Sequence, residues 1–167
     1  MSRRDIVIGL IIVAVLAGVI LIRQRNSGNE DEMRVPETLS SVEEQIEDKF
    51  NLQFPDDVDK AELKSVSEKP ESAIATRKFE NGTFTATVLA DLPDSEPGSF
   101  YQAWLVKGEE GEEGYAIISM GKLQIAKGGW MVSFESNTDY SDYSKVLLTS
   151  EKVSDNSPEE GRLRGSF

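Results

Sequence analysis

Five residues precede an uninterrupted apolar run at residues 6–22, which contains no charge. As a helix, a run of about 17 residues rises roughly 25 Å, enough to cross the hydrocarbon core of a thin bilayer. The pattern then turns polar and acidic over residues 26–37, with Pro36, which predicts a flexible tether. Leu39, Val42, Ile46 and Phe50 follow at steps of three and four, the spacing of one apolar helical stripe. Ser40 and Ser41 each have a glutamate three positions on, Glu43 and Glu44, which is capping-box spacing, and Pro55 is expected to end the segment.

From about Ala61 the period shortens to that of strands. Residues 73–79 and 83–92 flank Asn81-Gly82, a two-residue hairpin signal. Asn81-Gly82-Thr83 also matches the N-glycosylation sequon, although the turn explains both of the first two residues. Residues 99–106 carry Phe100, Trp104 and Val106 on one face and Tyr101, Ala103 and Leu105 on the other, so both faces of this strand are expected to be covered. Further strands are predicted at 115–123, 130–134, 145–149 and 163–167, with loops at 93–98, 109–114, 139–143 and 155–158. The expected fold is all-β: a β-sandwich of immunoglobulin-like size with seven to eight short strands, preceded by one N-terminal transmembrane helix and a short amphipathic helix. The predicted divisions are a cytoplasmic tail at 1–5, a signal anchor at 6–22, a juxtamembrane tether with the short helix at 23–58, and an extracytoplasmic domain at 59–167.

Charge sets the orientation. Arg3 and Arg4 precede the span and Arg23 and Arg25 follow it, a near balance under the positive-inside rule. A basic start before an apolar run inserts with its N-terminus in the cytoplasm, and Glu30, Asp31 and Glu32 follow closely on the other side. A cleaved signal peptide would need a shorter core and a small-x-small site, which residues 18–25 do not offer. The expected location is therefore the plasma membrane, single-pass, with the C-terminal domain extracytoplasmic. Ala14 and Gly18 form a small-xxx-small pair of the kind that supports helix dimerisation, although both residues are common in membrane helices.

The net charge is −12, and four Arg against one Asp in residues 1–25 leave −15 on the rest. So acidic a domain is not expected to bind nucleic acid, which requires basic patches. There is no Cys and no His, which excludes disulfides, Cys/His zinc sites and a Ser-His-Asp triad. A Ser-Lys nucleophile remains open in principle, but Ser65 and Lys69 are four apart rather than at S-x-x-K spacing, so no enzyme is expected. No cofactor is called for. Glu109, Glu110, Glu112 and Glu113, like Asp56, Asp57 and Asp59, depart from the EF-hand pattern and read as solvated turns. Trp104 and Trp130 lie in apolar strands and read as core rather than as an aromatic platform. The candidate partner-contact loop is Asp139, Tyr140, Asp142 and Tyr143, because tyrosines and acids on an end loop suit an interface; one tyrosine tucked under the sheet is the structural alternative.

The order of a strand ending in Leu92-Pro93, then Phe100-Tyr101-Gln102-Ala103-Trp104-Leu105-Val106, Met120-Gly121-Lys122-Leu123 and Val146-Leu147-Leu148-Thr149-Ser150-Glu151 resembles the C-terminal extracytoplasmic domain of anti-sigma-K factors. The resemblance covers roughly residues 73–167, with Asp155-Asn156 where the family has Gly-Gly before its last turn. It implies a membrane-anchored binding or sensing domain linked to sigma-factor regulation, with a protein or envelope partner. Family members also carry a cytoplasmic sigma-binding domain, for which residues 1–5 offer no room. The alternative is a structural or adhesive cell-envelope protein with no regulatory role.

Overall fold

The structure, a computed structural model, describes residues 41–67 and 69–167, which belong to one compact unit, Ser40–Phe167. The span expected at 6–22, its basic flanks, the tether at 26–37 and Leu39 lie outside the described residues. Among the described residues no helix is long and apolar enough to cross a membrane.

Helix α1 spans Val42–Phe50. Of the two serines offered by the spacing, Ser41 is seen to cap it: its hydroxyl accepts from Glu44 N at 3.2 Å, and Glu44 Oε2 accepts from Ser41 N at 3.3 Å. The helix stops at Asn51, whose left-handed conformation (φ 48°) turns the chain well before Pro55. Ile46 and Phe50 are buried against Ile74 and Leu89, so the predicted stripe packs on the outside of the sheet.

Nine strands follow: β1 (Asp59–Ser65), β2 (Ser72–Glu80), β3 (Thr83–Asp91), β4 (Phe100–Lys107), β5 (Ala116–Lys122), β6 (Gln124–Ala126), β7 (Gly129–Ser136), β8 (Lys145–Glu151) and β9 (Glu160–Ser166). The all-β class is as expected, but the architecture is not a sandwich of seven or eight strands in two sheets. All nine strands form a single sheet in the order β5-β4-β8-β9-β1-β2-β3-β7-β6, with every pairing antiparallel. The physical reason lies in residues 116–126. This stretch pairs with β4 through β5 and with β7 through β6, so the two outermost strands of the sheet are joined by one residue, Leu123. Leu123 is buried, and its N–H donates to Tyr101 O at 2.8 Å. The sheet therefore bends round until its edges nearly meet, with Gly121 of β5 close to the side chain of Val132 of β7.

Both short hairpins use two-residue turns with positive φ at each position: Asn81 (53°) and Gly82 (78°) between β2 and β3, and Lys127 (50°) and Gly128 (83°) between β6 and β7. The enclosed core combines small residues such as Ala73, Ala75, Ala86 and Ala90 with Phe84, Leu105, Leu148 and Leu163. Two bulges re-aim side chains. Met120 is the extra residue opposite Ala103 and Trp104, and Arg162 is the extra residue opposite Leu148 and Thr149.

Candidate binding groove

The outer face of β5, β4, β8 and β9 carries an open concavity. Register alone assembles its floor. Trp104 of β4, Leu147 of β8 and Arg164 of β9 lie in one cross-strand row, Gln102, Thr149 and Gly161 in the next, and Val106, Lys145 and Ser166 in a third. The expectation that β4 is covered on both faces is met, since Tyr101 to Val106 are all buried. Tyr101, Ala103 and Leu105 face the core, whereas the outer face lies between loops 108–115 and 152–159. Lys145 ties down the first loop through Gly108 O (3.0 Å) and an ion pair with Glu109. Glu151 ties down the second by accepting from Glu159 N at 3.1 Å, while the Glu159 carboxylate accepts from Lys152 N and Val153 N.

Two adjoining clefts of about 490 and 530 Å³ run along this face and share Glu110, Tyr115 and Leu147. One reaches Arg164, Gly165 and Ser166; the other reaches Gly161 and residues 156–159. Trp104 lies beneath, 1 % exposed, with its Nε1 donating to Thr149 Oγ1 at 2.8 Å. Thr149 in turn donates to Gln102 O at 3.3 Å, so the Trp104 N–H and the Thr149 hydroxyl are paired within the sheet, whereas Glu151 Oε2 is buried without a hydrogen-bond partner. Trp130 is half-buried, stacked edge-on against Tyr101 at 5.1 Å, and donates to Leu92 O and Pro93 O.

The four residues of the predicted contact loop do come together, at the end of the sheet away from Trp130. Tyr140 packs edge-on to Phe84 at 5.7 Å and to Tyr143 at 5.3 Å, which brings both tyrosines onto the core. Asp142 pairs with Lys107 and raises its pKa. Asp139 accepts from Ser141 N at 2.8 Å and from the Ser141 hydroxyl; those bonds hold its carboxyl below the usual range. Tyr143 O accepts from Arg77, whose guanidinium also lies over the Phe167 ring at 4.1 Å.

The other acids noted in the sequence are spread out. Asp57 pairs with Lys78 at 2.7 Å, and that hydrogen bond lowers its pKa. Asp59 pairs with Arg77 at 3.1 Å. Among the described residues no group of three or more Asp, Glu, His or Cys side chains gathers as a metal site. The lysine side-chain hydrogen bonds among these residues run to carboxylates or to Gly108 O.

A buried polar cluster was not legible in the sequence. Glu71 is 8 % exposed and pairs with Arg162, whose side chain is 12 % exposed. Tyr101 lies in their field, and burial is the main cause of its raised pKa. The groove was also missed. Its one local signal was Gly161 at the mouth of the last predicted strand; the rest depends on which residues the register sets side by side.

No protein-family model matches the chain, and neither does any curated protein or solved structure.

Proposed function

We propose that the chain is a single-pass membrane protein displaying its β-rich unit outside the cytoplasm as a binding or sensing module. The observation that carries this is the uncharged apolar run at 6–22 placed ahead of an acidic remainder. Binding rather than catalysis is supported by the absence of His and Cys and by an open groove beneath which the Trp104 N–H and the Thr149 hydroxyl are already paired within the sheet. The resemblance to the outer domain of anti-sigma-K factors adds a role in sigma-factor regulation. Its support is that three of the four quoted motifs fall in or next to β4, β5 and β8, strands of the groove face, the fourth lying at the end of β3.

The test is a pair of reporter fusions after Phe167. Alkaline phosphatase, which needs an oxidising exterior, should be active there, and β-galactosidase should be inactive. The opposite pattern refutes the orientation. For the regulatory role, deletion of the chain should change transcription from a sigma-dependent promoter; unchanged transcription leaves a structural envelope protein.

A further inference from the structure

We infer that the groove on β8 and β9 receives an extended peptide segment of a partner protein and holds one of its carboxylates at Arg164 and Lys64, an assignment that rests on the unit being a binding module. Three independent features carry it.

The first is Gly161. Within a strand, glycine costs conformational entropy and gives up a packing side chain, so a structural cause is expected. Gly165 has one: a Cβ there would run into Glu62 O and stand 3.2 Å from Leu63 Cα. Gly161 has none. Its φ is not in the left-handed range, and the nearest atom to an added Cβ is Leu147 Cδ1 at 3.8 Å, an ordinary contact. A side chain would fit the fold and fill the groove. Its absence leaves a flat path over which another chain can pass closely.

The second is charge. Arg77 and Arg162 both pair with carboxylates, whereas Arg164 is the arginine among the described residues with no ion pair. It stands directly opposite Lys64 in the β1–β9 register, and Lys64 is likewise unpaired. Like charges facing each other across strands are destabilising, and an incoming carboxylate relieves both.

The third is the floor. Val106, Ile117 and Leu147 offer apolar contact along the groove, which suits peptide side chains better than a sugar's hydroxyl edge. From Lys145 to Thr149 the path is roughly 13 Å, the length of about four extended residues.

The experiment pans a library of random octapeptides against the full chain in detergent micelles, and measures the enriched peptides by fluorescence anisotropy against the wild type, Gly161→Val and Arg164→Gln. Enriched peptides should carry Asp or Glu beside apolar residues and should bind Arg164→Gln about tenfold or more weakly, the loss expected for a charge-assisted contact, and should bind Gly161→Val more weakly because the valine fills the path. Arg164→Gln alters only an exposed side chain, so it tests the site even where Gly161→Val perturbs the strand. The proposal is overturned by no enrichment above empty micelles, by enriched peptides that bind both variants as well as the wild type, or by an acidic oligosaccharide (oligogalacturonate) binding in a Gly161-sensitive way where peptides do not. Each of these results, obtained with the Phe167 phosphatase fusion active, refutes the ligand assignment and leaves the topology standing.

Discussion

Helix α1 approaches the sheet most tightly at Gly129 of β7, and substitution there measures how closely the two are packed. A Cβ on Gly129 would lie 2.8 Å from Phe50 Cε2, closer still to Cζ, and 3.0 Å from Ala90 O. The Phe50 ring is 1 % exposed and packed among Ile46, Ile74 and Leu89, so it has little room to withdraw. Gly129→Ala should therefore cost about 1–3 kcal/mol through overpacking. This exceeds the roughly 0.4–1 kcal/mol that glycine-to-alanine changes return by restricting the unfolded chain. At the size of this unit each kcal/mol lowers Tm by about 3–6 °C. Phe50→Ala alone should cost about 3–5 kcal/mol as a large cavity. In the double variant the ring is gone and only Ala90 O remains close, so Gly129→Ala should add less than about 1 kcal/mol, a clear non-additivity. The assay is urea unfolding of the full chain in detergent micelles, followed by tryptophan fluorescence and by circular dichroism. Costs that add to within about 0.5 kcal/mol would show that Phe50 and Gly129 do not meet, and would refute the packing described for α1.

Thr149→Val leaves the buried Trp104 Nε1–H without its acceptor and should cost about 1–3 kcal/mol in urea unfolding, whereas Thr149→Ser should recover most of it. Arg162→Met strands the buried Glu71 carboxylate and should cost about 3–5 kcal/mol, and adding Glu71→Leu should restore much of the loss, as read from the same unfolding curves. The Asp139 carboxyl is held below its usual pKa, so its stabilising contribution is present above the unfolded value near about pH 4 and is lost as pH falls through the lower folded value. Ser141→Ala should accordingly lower Tm at pH 7 and lose that deficit as pH falls through the lowered folded value, with a pH-independent deficit counting against the Asp139 bond.

Local patterns in the chain were legible where a single element decides them. The Ser41–Glu44 cap, the stripe of Ile46 and Phe50, the Asn81-Gly82 turn and the apolar residues on both faces of β4 all follow from spacing within one segment. Two strands were harder to read. In β1, Lys60, Glu62 and Lys64 alternate with only Ala61 and Leu63, which is a weak apolar signal. In β6, three residues pass for part of a connection. Missing β6 also hid the joining of the sheet's outermost strands, and with it the difference between two sheets and one. Of the predicted contact loop, the sequence showed the residue types but not that Tyr140 and Tyr143 turn onto the core, because Phe84, on which Tyr140 packs, comes from the distant strand β3.

Taken alone, the order of residues determined the all-β class, the acidic charge, the exclusion of thiol, zinc and His-based chemistry, and an apolar run long enough for a bilayer. Each of these depends on composition or on neighbours in the chain. Only the tertiary structure decided that residues 116–126 serve two strands at once, that Arg162 is bulged towards Glu71, and that Gly161, Leu147, Arg164 and Lys64 share one surface. The reason is that antiparallel register is set by long-range pairing, and a shift of one residue would turn every one of these side chains to the opposite face.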